Sequence, residues 1–150
     1  MRYLAIDLGD KRTGLAVGDA VTRIAGPVGM LDTPIDRTGG DALLDAIDAA
    51  CREHLGEDPA AGELVLGLPL NMDGSAGPRA GLVRAFAERV RARTGRAVHL
   101  HDERRSSARA DERMARTGLT RGQKKARRDA IAAAAVLQDF LDALESPEGP

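Results

Sequence analysis

At 150 residues, with 43% hydrophobic and 30% charged side chains, the chain is sized for one soluble core, and it holds no apolar run near the roughly 20 residues of a membrane helix. The single Cys51 excludes an internal disulfide and a cysteine-only metal site; 2% aromatics with no Trp exclude a base-stacking platform. No signal-peptide pattern follows Met1, so the expected setting is the reducing cytoplasm, with no membrane partner.

The first apolar run, Tyr3-Leu4-Ala5-Ile6-Asp7-Leu8, is followed by Gly9-Asp10-Lys11-Arg12 and a second run, Gly14-Leu15-Ala16-Val17-Gly18. This reads as strand, tight polar turn and strand. Asp7 stands out, because a carboxylate on a buried central strand is costly unless it is paired or bound to a metal. Strands are expected at about 2–8, 13–19 and 26–32, close enough to form an antiparallel meander. Two further apolar runs at 63–68 and 97–102, separated by helical patterns, read as parallel buried strands.

Helical spacing fills the gaps. Residues 40–55 place Leu43, Leu44, Ile47 and Cys51 on one face, and residues 79–94 do so with Leu82, Val83, Phe86 and Val90. Pro78 lies just before that second helix, where a missing N–H is tolerated. A third helix is expected at 106–117, stopped by Gly118. Segments 34–40 and 71–77 read as loops. The last helix opens with the capping-box pattern Thr120-Arg121-Gly122-Gln123 and runs to about Leu144. The whole reads as a single α/β domain over 1–145, with a disordered tail at 146–150.

Two more acids join Asp7. Asp129, Ala132, Ala133, Val136 and Phe140 share one helical face, so Asp129 is aligned with the stripe that docks on the sheet. It lies two turns into its helix, where the dipole gives a carboxylate little help. The fifth strand ends His99-Leu100-His101-Asp102-Glu103, where parallel α/β folds assemble their sites. Alternation groups Asp102 with Val98 and Leu100, and Glu103 with His99 and His101, but it weakens at strand ends and leaves the choice open. The two histidines have no third His or Cys nearby and read as packing residues. Three acids from separated segments fit two-ion phosphodiester hydrolysis with Mg²⁺ or Mn²⁺, which favour hard oxygen ligands.

The net charge of −1 hides an asymmetry. Residues 84–128 carry 15 Lys/Arg against 5 Asp/Glu, and the remainder 7 against 18. A basic segment of this strength points to nucleic acid as the partner. Arg104, Arg105, Arg109, Arg113 and Arg116 follow Glu103; Lys124, Lys125, Arg127 and Arg128 precede Asp129. Lys11 and Arg12 at the first turn are further phosphate candidates. So is the loop from Asn71 to Ser75, whose Asn71, Asp73 and Gly74 favour a turn with exposed N–H groups.

Four ordered motifs resemble the YqgF (RuvX) family of ribonuclease H-like nucleases. They are Ile6-Asp7-Leu8-Gly9-Asp10-Lys11-Arg12-Thr13-Gly14, Gly67-Leu68-Pro69-Leu70-Asn71-Met72-Asp73-Gly74-Ser75, Asp102-Glu103-Arg104-Arg105-Ser106-Ser107 and Asp129-Ala130-Ile131-Ala132-Ala133. The resemblance implies a five-stranded mixed sheet, three antiparallel strands then parallel ones, with helices on both faces. It implies a cytoplasmic nuclease acting on the 5′ end of pre-16S rRNA, or a Holliday junction resolvase. RNA, DNA and ribosomal precursor particles are the partners it brings, for a monomer or homodimer. One departure is that the fourth strand ends Gly67-Leu68-Pro69 without an acid, so Glu103 is the family-consistent ligand beside Asp7 and Asp129. Two rival readings are an actin-like or sugar-kinase-like ATPase, which needs two such domains, and a binding module without catalysis.

Overall fold

A computed structural model describes residues 1–104 and 121–145, with side chains for 1–104 and 128–144. The expected helix at 106–117 and the tail at 146–150 lie outside the described residues. The chain runs β1 (Arg2–Leu8), β2 (Thr13–Asp19), β3 (Ala25–Leu31), α1 (Asp41–Leu55), β4 (Gly62–Leu68), α2 (Pro78–Thr94), β5 (Val98–Asp102) and α3 (Arg121–Glu145). The sheet order is β3-β2-β1-β4-β5. β1–β2 and β2–β3 are antiparallel, whereas β1–β4 and β4–β5 are parallel. This is the expected mixed five-stranded sheet.

Each strand turns alternate residues to opposite faces. One face presents Leu4, Ile6, Leu8, Leu15, Leu64, Leu66, Leu68 and Val98 to α1 and α2. Full burial of a side chain such as Leu66 contributes about 2 kcal/mol. The other face presents Tyr3, Ala5, Ala16, Ala25 and Val65 to α3, which answers with Ala133, Ala134, Val136, Leu137, Phe140 and Leu141.

Three local expectations are corrected. β3 begins and ends one residue earlier than the expected 26–32; it is an edge strand, which tolerates Pro27. Pro78 is the first residue of α2 rather than its predecessor. Leu82 is 41% exposed, because the buried stripe of α2 runs through Ala80, Val83, Phe86, Ala87 and Val90, and Leu82 sits one helical step off it.

Candidate active site

Asp7 is the penultimate residue of β1 and is half-buried. It lies on the α3 face, in step with Tyr3 and Ala5, and pairs across the hairpin with Gly14. Glu103 follows β5, its N–H donating to the Leu68 carbonyl at 3.3 Å. It continues the His99 and His101 face of its strand, so it turns toward the same side as Asp7. The neighbouring Gly67 makes this possible: a Cβ there would stand 2.5 Å from Glu103 Oε2. Asp7 and Glu103 share a side-chain hydrogen bond, which requires one proton between two carboxyl groups.

Burial pushes the Asp7 carboxyl up to about 7, and the negative charges of Glu103 and Asp129 add to it. Glu103 is raised chiefly by burial, while its bond with Asp7 and the Arg79 charge pull it back. Asp129 reaches this corner because α3 lies directly on β2. A Cβ on Gly14 would stand 1.8 Å from the Asp129 carbonyl oxygen and 2.9 Å from the Ala130 nitrogen. The Asp129 carboxylate itself faces Arg12, Oδ2 to Nε 3.4 Å. Among the described residues, no group of three His, Cys, Asp or Glu side chains is arranged to hold a metal ion as it stands. The structure thus brings Asp7 and Glu103 together and sets Asp129 within electrostatic reach, turned to an arginine.

The family model described as RuvX, Holliday junction resolvase, matches residues 1–143. The chain belongs to the RuvX family. It is 43% identical over 142 residues to a protein of Anaeromyxobacter dehalogenans named "Putative pre-16S rRNA nuclease", covering 95% of this chain and 97% of that one. A Myxococcus xanthus relative of the same name is 37% identical, covering 99% and 92%. The fold is similar to that of Fowlpox virus resolvase bound to Holliday junction DNA (TM-score 0.60, 9% identity, 97% and 100% covered). It is also similar to Thermus thermophilus RuvC with a Holliday junction substrate (TM-score 0.53, 15% identity, 97% and 96% covered).

In this RuvX-family protein Glu103, rather than Asp102, shares the face of Asp7. Asp102 turns away from Asp7 and binds Arg104, whose Nε and Nη2 donate to Oδ2 at 2.9 and 2.6 Å. Those bonds hold its carboxyl below the usual range. His99 pairs with Glu63 at 2.8 Å and His101 with Asp139 at 2.7 Å, both rings against Phe140. Packing histidines, as expected, occupy this face.

The substrate candidates divide. Lys11 is exposed beside Arg12 at the turn. Arg104 is engaged by Asp102 and also donates to the Met72 carbonyl at 3.0 Å, tying the 71–75 loop to the end of β5. The loop is exposed, and three of its N–H groups are engaged within it. Asn71 N–H donates to the Ser75 carbonyl at 2.9 Å, Gly74 N–H to the Asn71 carbonyl at 2.8 Å, and Ser75 N–H to Asp73 Oδ1 at 2.9 Å. The side chains of Asn71 and Ser75 bond each other at 3.0 Å. Tight Asx chemistry closes the loop on itself. Arg105, Arg109, Arg113 and Arg116 lie outside the described residues, as do the side chains of Lys124, Lys125 and Arg127.

Much of the first part of the basic run is engaged within the fold. Arg89 binds Asp41 at 2.9 Å, Arg91 binds Glu88 at 2.6 Å, and Arg93 binds Asp45. Arg96 is buried and donates to the carbonyls of Gly62 and Gly56. These arginines tie α2 to acidic α1 and to the sheet. The sequence reading missed Arg79, whose Nη2 donates to the Leu8 carbonyl at 2.8 Å and whose Nη1 pairs with Asp10. Its positive charge opposes the raised pKa of both Asp7 and Glu103. A cation in the first turn of a helix runs against the macrodipole, and that misfit was the available signal. Gly14 and Gly67 were missed as well; a glycine inside a strand marks close approach.

Proposed function

We propose that this protein is a nuclease that uses Mg²⁺ or Mn²⁺, held by Asp7, Glu103 and Asp129, to hydrolyse phosphodiester bonds, and that its substrate is the 5′ end of pre-16S rRNA. The observation that carries this reading is the Asp7–Glu103 pair. Two half-buried carboxyl groups at strand ends, pressed together, with a third acid adding its field, are a poor way to stabilise a fold. They form a fitting oxygen donor set for a hard divalent cation. Bound there, the ion supplies an acidified water and Lewis-acid stabilisation of the phosphoryl oxygens.

The chain's own residues do the rest. Gly67 and Gly14 leave room for Glu103 and for the Asp129 turn, so the donors are placed by backbone. Arg79 stays beside the pair and favours its ionised form. Lys11 and Arg12 stand at the same end of the sheet to hold phosphates, positioning rather than specifying the strand. Lys124 and Lys125, on the turn of α3 that leads to Asp129, extend that role. No described helix is long and apolar enough to cross a membrane, and we place the protein in the cytoplasm as one domain over 1–145.

The names of the relatives favour precursor rRNA, and the family description favours four-way DNA junctions. A matched panel of rRNA precursor, single-stranded DNA and four-way junctions, with Mg²⁺ or Mn²⁺ and with chelator, decides between them. Ion-dependent cleavage of the rRNA precursor that is lost in Asp7→Asn is the expected result. Junction cleavage alone would move the substrate to DNA. Binding without cleavage of any substrate would leave a module, and ATP turnover would revive the kinase-like reading.

A further inference from the structure

We propose that Arg12 is an exchange residue: its guanidinium holds Asp129 until a divalent cation takes that carboxylate, and the released Arg12 then grips a nucleic-acid phosphate. The inference rests on the nuclease reading above and adds the way in which the two ligands are coupled.

Four observations lead there. The Asp129 carboxylate is turned to Arg12, Oδ2 to Nε 3.4 Å, with the two side chains 26% and 38% exposed. Among the described residues, no three acids are arranged as they stand to hold an ion. The backbone on both sides is fixed: a Cβ on Gly9 would meet the Arg12 carbonyl at 2.4 Å, and one on Gly14 would meet the Asp129 carbonyl at 1.8 Å. Exchange therefore takes place by rotation of side chains, with no movement of strand or helix. Finally, Arg79, a second described arginine of this corner, is held by Asp10 and the Leu8 carbonyl.

A guanidinium and a divalent cation on one carboxylate repel each other, so each weakens the hold of the other. The displaced Arg12 is a solvent-facing fork at the mouth of the site, suited to two phosphate oxygens at once. Cation binding thus raises nucleic-acid affinity, and nucleic acid raises cation affinity by the same factor. The ordering keeps nucleic acid from seating firmly in a site that lacks its ion.

The test is calorimetric titration of Mn²⁺ into the full-length protein without nucleic acid, for wild type, Arg12→Ala, Arg12→Lys and Lys11→Ala, with thermal melts to check folding. Arg12→Ala is expected to bind Mn²⁺ about fivefold more tightly than wild type, the factor carried by an exposed ion pair of about 1 kcal/mol. Arg12→Lys should fall between the two. Lys11→Ala, which removes a neighbouring charge but no Asp129 contact, should stay near wild type. Binding of a short phosphorothioate RNA, measured with and without Mn²⁺ at fixed ionic strength, should gain less from the ion in Arg12→Ala than in wild type. Equal or weaker Mn²⁺ binding by Arg12→Ala overturns the exchange. So does a matching gain in Lys11→Ala, which would reduce the effect to field strength, or an undiminished RNA gain in Arg12→Ala. Wild type that cleaves and binds Mn²⁺ while showing any of these results loses only the exchange; wild type that neither binds Mn²⁺ nor cleaves loses the nuclease reading with it.

Discussion

The two faces of the sheet are built from different materials. Toward α1 and α2 stand Leu4, Ile6, Leu8, Leu64, Leu66 and Leu68, met by Leu43, Leu44, Ile47, Val83, Phe86 and Val90. Toward α3 stand Gly14, Ala16, Gly18 and Ala5, met by Ala133 and Ala134 with a few larger residues. Large aliphatics hold two helices off the sheet and bury much apolar surface. Glycine and alanine let the backbone of α3 rest on β2. Among the described residues, only on the thin side does a helical acid come beside a strand acid, and that is the face to which we assign the chemistry.

The largest expected effect separates the faces by activity. Asp7→Asn should lower cleavage by about 10³-fold or more, as loss of a catalytic group commonly does, whereas Leu66→Ala should cost stability and leave cleavage by the folded fraction near wild type. Rate assays paired with thermal melts check both. Gly14→Ala attacks the thin side directly. With its new Cβ on the Asp129 backbone, it should destabilise the protein by about 3 kcal/mol, seen as a lower denaturant midpoint. A variant as stable as wild type would show that α3 is free to lift from β2.

The third test is the pH dependence of the ion-free protein. The folded Asp7 carboxyl titrates near 7 against an ordinary value of 3.8. The folded state therefore binds the proton more tightly than the unfolded chain, and stability falls as pH rises from about 4 to about 7. Above that window the cost is fully present, on the order of 4 kcal/mol. Asp7→Asn should remove this slope and be the more stable protein at pH 8 in chelator. Added Mg²⁺ should reverse the ranking by stabilising wild type alone. Denaturant midpoints across pH, with and without the ion, read both signs.

Smaller effects sharpen the contrast. In Gly67→Ala the new Cβ meets the mobile end of Glu103 rather than backbone. The fold should lose under about 1 kcal/mol while cleavage drops about tenfold, the reverse of Leu66→Ala. Arg93→Ala, on the thick side, should lower the melting temperature slightly and leave nucleic-acid affinity and its salt slope unchanged. A reduced salt slope would return the 84–96 arginines to the substrate path.

Much of this architecture is legible in local pattern. The hairpin around Asp7, the buried β4 and the long α3 with Asp129 on its docking face follow from strand alternation and helical spacing, which short-range sterics enforce. Strand alternation also grouped Glu103 with His99 and His101, and the observed site lies on that face. The basic run misled in part, because charge counting does not reveal that Asp41 and Asp45 of α1 stand opposite Arg89 and Arg93. The 71–75 turn was legible from its Asn, Asp and Gly, but counting turn residues does not show that Asp73 takes the N–H of Ser75.

By itself the sequence determined which segments become strands and helices, that Asp7 and Asp129 lie on packed faces, and that the chain resembles the RuvX nucleases, because these rest on periodicities of two and 3.6 residues and on local motifs. Tertiary structure alone decided that Gly14 and Gly67 are clearances rather than flexible points, that Arg79 from the start of α2 watches over a pair on β1 and β5, and that Asp129 faces Arg12. Each of these depends on distances between residues far apart in the chain, and local pattern carries no such distance until the α3 helix has settled on the sheet.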